Sequence, residues 1–151
     1  MTTITQAQAA LKAVIAGAGL SYTVYWFGDD PPVLPDDPAT FAYGWFENHG
    51  SGGVTAFGGG RGNNLYRYEC QACVYVFSPP TGIDGMEPVS TLAETLAAAV
   101  RSYRDDDISV YAADTHPAVP GDGLAPPGTT SAVNNYLCAA VDITLTFDQI
   151  G

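Results

Sequence analysis

Two cysteines at the spacing of a redox or metal-binding motif are the first residues in this sequence that could carry chemistry. Cys70 and Cys73 are separated by two residues, as in dithiol redox pairs and zinc knuckles. They lie inside an alternating run, 65–78, that predicts a strand, and side chains three apart on a strand point to opposite faces. No second pair of ligands accompanies them. We therefore expect reduced thiols and no metal, and three cysteines, counting Cys138, fit a reducing cytoplasm.

A glycine-rich segment and two histidines could also suggest chemistry. The segment 58–62 reads Gly-Gly-Gly-Arg-Gly, but a phosphate loop follows a strand, opens a helix and carries a Lys-Ser/Thr pair. This segment is expected to connect two strands, so a long, flexible hairpin connection is the better interpretation, and loops of this length are often interaction loops. His49 and His116 lie far apart in predicted loops, with no HExxH and no Gly-x-Ser-x-Gly motif. We predict no catalytic residue, no cofactor and no metal.

Acidic residues dominate the charge of the chain. Sixteen Asp and Glu stand against five Lys and Arg, which gives a formal net charge of −11. Phosphate binding depends on Lys and Arg, so this balance argues against a protein that grips nucleic acid or an anionic membrane. The acidic groups at 29–30, 36–37 and 105–107 lack the alternating spacing of a calcium loop. No apolar run reaches the roughly 20 residues of a spanning helix, and the N-terminus lacks the basic region of a secretory signal.

Aromatic residues cluster in two neighbouring predicted strands. The cluster comprises Tyr22, Tyr25, Trp26, Phe27, Phe41, Tyr43, Trp45 and Phe46. A row of aromatic rings can stack on a ligand, as in a carbohydrate-binding module. Because these residues occupy both faces of the strands, we expect some of them in the core and others at a protein interface.

Hydrophobic periodicity predicts the elements that must position these residues. Predicted helices cover 4–17, with Thr3 or Thr5 as N-cap, and a segment from Pro88 or Thr91 to about Arg104. Predicted strands cover 21–27, 40–47, 65–78, 108–112 and 137–147. On the third strand Tyr66, Tyr68, Cys70, Ala72, Val74 and Val76 are expected to face the core.

The order of these elements predicts the fold class. The order α-β-β-β-α-β-β predicts an α+β fold, a mostly antiparallel sheet with both helices packed on one face. A single domain is expected over residues 1–151, with long loops at 47–64 and 115–134.

The same order of elements resembles a family of phage proteins. The residues that carry the resemblance are Tyr66-Arg67-Tyr68-x-Cys70-Gln71-Ala72-x-Val74-x-Val76, then Ser78-Pro79-Pro80-x-Gly82, then Leu92-Ala93-x-x-Leu96. Together with the N-terminal helix, the aromatic strand that ends at a Pro-rich turn and the Gly/Arg loop, this pattern is similar to the tail terminator (tail completion) proteins of long-tailed bacteriophages and phage-like particles. The resemblance covers residues 1 to about 148.

The resemblance implies a structural virion protein without enzymatic activity. Such a protein is made in the bacterial cytoplasm and forms a ring, typically a hexamer, at the head-proximal end of the tail tube. There it ends tube polymerisation and joins the tail to the neck, so its partners are further copies of itself, the tail tube protein and the neck or head-tail connector protein. Genome DNA passes through the ring without specific binding, and no membrane is involved.

Two alternatives to the terminator remain open. One is a head-tail connector or stopper, or a tube-related protein, and the other is an aromatic-platform ligand-binding module. On the structural interpretation, the candidates for the channel lining are Asp142 with Thr144 and Thr146, or the turn Asp105 to Asp107. A solvated outer surface is the alternative for each of them. The residues expected at interfaces are Phe57, Arg61, Asn63, Asn64, Arg67 and Asp142.

Overall fold

A computed structural model describes residues 2–29, 39–48, 55–60, 62–80, 86–121 and 135–150. Within these ranges the chain forms two helices, α1 (Ile4–Gly17) and α2 (Met86–Val100). It also forms the strands β1 (Thr23–Trp26), β2 (Phe41–Asn48), β3 (Thr55–Phe57), β4 (Leu65–Ser78), β5 (Ser109–Pro120) and β6 (Leu137–Ile150).

The strands form one sheet in the spatial order β1-β2-β4-β6-β5. The short strand β3 pairs with the first residues of β4, and β2 pairs with the later residues, Gln71–Phe77. Both β2 and β3 therefore lie on the same side of β4, one after the other. Only the β1–β2 pair is parallel, and the other pairs are antiparallel. The predicted α+β fold is confirmed, with β3 added to the predicted order.

Both helices cover the same face of the sheet. A capping box begins α1: the backbone N–H of Gln6 donates to Thr3 Oγ1 over 3.2 Å, and the Gln6 side chain accepts from the Thr3 N–H over 2.8 Å. This exchange satisfies two donors that a helix N-terminus leaves without partners. Leu11 of α1 and Leu96 of α2 are buried with alternate residues of β4 and β6 in one apolar core.

The alternation predicted for β4 holds, and its far end is buried on both faces. Ala72, Val74 and Val76 lie in the core beneath the helices. On the opposite face a second apolar cluster contains Phe41, Tyr43, Phe77 and Cys138. A strand that is covered on both sides loses its alternation of apolar and polar residues, which is why Cys73 and Phe77 are as well buried as their neighbours.

The prediction of two long loops was partly wrong. The segment 47–64 contains the end of β2 and the whole of β3. The predicted strand 108–112 continues as β5 to Pro120, which removes 115–120 from the second loop. Proline is tolerated at a sheet edge and at bulges, and β5 is an edge strand with a register shift between His116 and Val119. The remaining part of that loop, 122–134, lies outside the described residues.

The predicted N-terminus of the second helix was also wrong. Helix α2 begins at Met86, two residues before Pro88, and ends at Val100. Thr91 is therefore an interior residue, and its hydroxyl donates to the carbonyl of Glu87 over 3.0 Å. Interior Thr residues commonly return a hydrogen bond to the preceding turn in this way.

One glycine in β2 is required by close packing. The ring of Trp26 lies where a Cβ on Gly44 would stand, with the ring atom Cδ2 at 2.8 Å from that position. Trp26 also stacks on Phe46 with ring centroids 5.0 Å apart. A side chain at position 44 would therefore displace the stacked pair.

Truncation of a core leucine tests the helix packing. Leu96 has no exposed surface, so Leu96→Ala should lower the free energy of unfolding by about 2–5 kcal/mol through lost burial and the cavity left behind. Leu92→Ala is the matched control, because Leu92 is only partly buried on the same helix. Urea unfolding should show the larger loss for Leu96→Ala; equal losses would contradict the packing of α2.

Candidate functional site on the helix-free face of the sheet

The face of the sheet opposite the helices divides into a polar half and an aromatic half. The polar half is formed by side chains of β4, β5 and β6: Arg67, Glu69, Gln71, Tyr111, Asp114, His116, Asp142, Thr144, Thr146 and Asp148, with Glu47 beside them. The aromatic half is formed by Tyr25, Phe27, Phe41, Tyr43, Trp45, Tyr75, Phe77 and Tyr136. Strand alternation places both sets on this face, because the intervening residues fill the core under the helices.

One bidentate ion pair lies at one end of the polar half. The Arg67 guanidinium donates from Nε and Nη2 to the two carboxylate oxygens of Asp148 over 2.8 and 2.7 Å. These residues are direct partners in the β4–β6 register. The hydrogen bonds and positive charge of Arg67 lower the pKa of Asp148. The pair neutralises the charge of Arg67, and the nearby charge of Arg104 also lowers the pKa of Asp148.

Carboxylates dominate the remainder of the polar half. Asp114 and Asp142 lie directly opposite each other on β5 and β6, an arrangement that like charges disfavour. A cavity of about 240 Å³ is lined by these two carboxylates and by Glu47, Gln71 and Thr144, among others. His116 contacts the carboxylate of Asp142.

Glu69 extends the acidic surface along β4 toward Arg67. Its carboxylate accepts a hydrogen bond of 2.7 Å from the hydroxyl of Tyr111, which is 56% exposed. The arrangement as a whole is a negatively charged surface with hydroxyl and amide groups between the carboxylates.

In the aromatic half, the exposed ring of Phe27 packs against the half-buried ring of Trp45. Phe27 is 52% exposed and lies 4.3 Å from Trp45, centroid to centroid. Behind them Tyr43 is buried, and its hydroxyl has no hydrogen-bond partner among the described residues. Of the predicted aromatic cluster, Trp26 and Phe46 lie on the helix side instead, with Lys12 Nζ 5.4 Å from the Trp26 ring centroid.

The residues predicted at interfaces fall in two places. Four of them lie at one end of the sheet, and among these Asn63, Asn64 and Arg67 lie at or near the start of β4. The side chain of Asn64 accepts a hydrogen bond from the Gly59 N–H over 3.4 Å. The Asn63 N–H donates to the Gly60 carbonyl over 3.0 Å. Phe57 lies in the same region, paired through its backbone with Leu65.

Asp142 lies away from that group, at the cross-strand position of Cys73. Arg61 lies outside the described residues. The structure therefore gathers four of the six residues at one end of the sheet.

Several residues of the polar half were missed by sequence reasoning. Asp114 lay beyond the predicted strand, which ended at Ala112, and His116 was predicted to lie in the loop 115–134. Their alternation with Ala113 and Thr115 would have indicated the outer face if Pro117 had been accepted in an edge strand.

The cysteines are placed as predicted, on opposite faces of β4. Cys70 lies in the core under the helices and Cys73 on the other face, and no disulfide joins any of the three cysteines. Burial raises the pKa of Cys70 to about 11 and that of Cys138 to about 12. Burial, with nearby Asp142 as a further cause, also raises the pKa of Cys73. Within the described part of the chain, no group of three or more His, Cys, Asp or Glu side chains is placed to hold a metal ion.

Comparisons with known proteins give no family assignment. No family model matches the chain, and no curated protein matches it. Among the described helices, none is both long and apolar enough to cross a membrane.

Thiol titration tests the placement of the cysteines. Native protein at about pH 8 should react very slowly with a thiol reagent, because all three thiols are buried and their raised pKa values leave little thiolate. Unfolding in guanidinium should release three reactive thiols per chain. Rapid reaction of a native thiol, or stoichiometric zinc in the purified protein, would contradict the assignment.

The Arg67–Asp148 pair predicts a defined pH dependence. Because the pKa of Asp148 is lowered from 3.8 in the folded state, the pair stabilises the fold above that value and the contribution is lost as pH falls through the lower folded pKa. At pH 7 Asp148→Asn should cost less than about 1 kcal/mol, since both side chains are partly exposed.

A double-mutant cycle isolates the pair. Arg67→Gln and Asp148→Asn should each lower the melting temperature at pH 7, and the double variant should lose less than the sum of the two. The coupling should fall as pH is lowered through the folded pKa of Asp148, and it should vanish once that carboxyl is protonated. Additive losses at pH 7 would show that the two residues act separately.

Proposed function

We propose that this chain is the repeating subunit of a structural ring in a long-tailed phage or phage-like particle. In this proposal the ring sits at the head-proximal end of the tail tube, ends tube polymerisation and joins the tail to the neck. The observation that carries the proposal is the asymmetry of the sheet: one face is closed by two helices, and the other presents an acidic polar half without a helix over it in the described residues.

The acidic face suits a channel through which DNA moves. Duplex DNA carries about one negative charge per 1.7 Å of its axis, and proteins that hold it neutralise phosphates with Lys and Arg. On the polar half, Arg67 is paired with Asp148, while Glu47, Glu69, Asp114 and Asp142 supply further negative charge. Facing DNA, such a surface repels phosphates and offers no strong binding site, so DNA slides past it.

A ring also requires two different contact surfaces on each subunit. Head-to-tail association through unlike patches closes into a ring when the rotation is right. The sheet has two distinct edges, β1 on one side and β5 on the other, and the exposed ring of Phe27 lies beside the first. The tail tube protein and the neck protein would then bind the two ends of the ring.

A connector, stopper or tube-related subunit would use the same surfaces, and its place in the particle separates it from a terminator. A ligand-binding module is favoured by a different observation, the contact of the exposed Phe27 ring with the half-buried Trp45 ring, since adjacent aromatic faces bind sugars and other flat ligands. Titration of the protein with oligosaccharides, read out by tryptophan fluorescence, would reveal this second function by saturable quenching.

Electron microscopy tests the proposed function. The purified protein at high concentration, alone and mixed with tail tubes of its own particle, should give rings with an open centre or caps at one end of the tubes. Gold-labelled antibody against the chain should mark the head-proximal end of tails in intact particles. Labelling of the neck beyond the tail would identify a connector, and absence of label from particles would contradict a structural role.

A further inference from the structure

The two outer edges of the sheet are covered to different extents. Along the first half of β5, the Val110 N–H donates to the Tyr103 carbonyl over 2.8 Å, and Arg101 Nη2 donates to the Ala113 carbonyl over 2.8 Å. The chain's own segment before β5 thus covers this half of the edge. Beyond Ala113, no described residue pairs with the outer side of 114–120, which we call the uncovered half of β5.

On the opposite edge, no described residue pairs with the outer side of β1, and a groove flanks this strand. The Phe27 N–H donates to Gly44 of β2 over 3.0 Å, so the alternation of a parallel strand directs the backbone groups of Val24 outward, together with the N–H of Trp26. Beside this edge lies a cavity of about 270 Å³ between α1 and β1. Its lining includes Lys12, Ile15, Ala16, Leu20, Val24 and Trp26.

The two uncovered segments lie at the same level along the strand direction. When cross-strand partners are followed from β1 to β5, one row of neighbouring residues consists of Trp26, Gly44, Val74, Val141 and Thr115. A second row connects Thr23 to Val119 in the same way, through Phe41, Phe77 and Cys138. The uncovered half of β5 therefore faces outward at the level of β1, on the other side of the molecule.

The directions of the two strands also match. One parallel and three antiparallel steps separate β1 from β5, so the two strands run in opposite directions. If a second copy stands beside the first in the same orientation, its β5 meets β1 as an antiparallel neighbour. Antiparallel addition of a strand to an exposed edge is a common mode of association.

Apolar surface, and not charge, is available for such a contact. The groove beside β1 is lined by Ile15, Ala16, Leu20 and Val24, among others. Thr115 pairs with Val141, a residue of the core under the helices, so its exposed side chain lies on the helix side of the sheet, the side on which the groove opens. Lys12 already pairs with Asp29 over 2.7 Å on that side, whereas Asp114 lies on the helix-free face, so these two charges do not meet.

From these observations we propose that copies of this chain join head to tail, with the uncovered half of β5 of one copy adding to β1 of the next. Side chains on the helix side of the incoming strand enter the groove between α1 and β1. The inference rests on the proposed ring and names its subunit contact. Pro117 and Pro120 have no N–H, so the contact has few backbone hydrogen bonds and depends on the groove.

Filling the groove tests its part in the contact. Ala16 lines the groove and is exposed, whereas Ala13 is exposed on the same helix outside it. In sedimentation velocity over a concentration series, the wild type and Ala13→Phe should associate alike, and Ala16→Phe should associate about tenfold more weakly or worse, a loss of at least about 1.4 kcal/mol. Far-ultraviolet circular dichroism and melting curves verify that both variants fold.

A crosslinking experiment tests the polarity of the contact. In a Thr23→Cys/Val119→Cys variant, a bismaleimide should link copies into a ladder of dimers, trimers and larger species, because each copy offers both ends of the contact. Either single variant should give dimers at most. The matched control, Thr23→Cys/Ala99→Cys, places the second thiol on the exposed face of α2 and should give no ladder.

The outcomes separate the contact from the function. Equal association of Ala16→Phe and Ala13→Phe, a double variant that stops at dimers, or a wild type that remains monomeric at every concentration would each overturn the β1–β5 contact. Gold labelling of tails would still support the proposed function in any of these cases. Labelled tails together with an intact ladder and a weakened Ala16→Phe would support both.

Discussion

The pairing of β4 with β6 is the constraint on which the rest of the structure depends. Both strands are fourteen residues long, and their register runs without a shift from Leu65–Ile150 to Ser78–Leu137. Side chains alternate with a period of two, so a slip of β6 by one residue along β4 would send Val141 to the outer face and Asp142 into the core. This single register decides which residues meet the helices and which form the helix-free face.

The helix-free face combines two surfaces that serve different purposes in the proposed ring. The aromatic half is largely buried and stabilises the end of the sheet where β1, β2 and the start of β6 meet. The polar half keeps Glu69, Asp142 and their neighbours in solvent, where repulsion between carboxylates costs little. A surface that tolerates this concentration of negative charge is compatible with passing DNA and poorly suited to holding it.

Much of the fold could be predicted because the decisive signals are local. The bounds of α1 follow from Thr3 and the spacing of Leu11 and Ile15, and those of β4 follow from its alternation. Strand β3 and the second half of β5 could not be predicted, since β3 has only three residues and depends on pairing with β4. The second half of β5 contains Pro117 and Pro120, residues that are depleted in strands. The polar half was predicted only as far as Asp142, Thr144 and Thr146, because its other members come from β5 and from cross-strand neighbours.

The orientation of the sheet in the assembled ring tests the central claim most directly. A cryo-electron microscopy map of the ring, alone or on the tail, should place the outer side chains of β4 and β6, including Glu69 and Asp142, around the central channel, with α1 and α2 on the outside. A map with the helices lining the channel and the acidic half of the sheet on the outer rim would contradict the account.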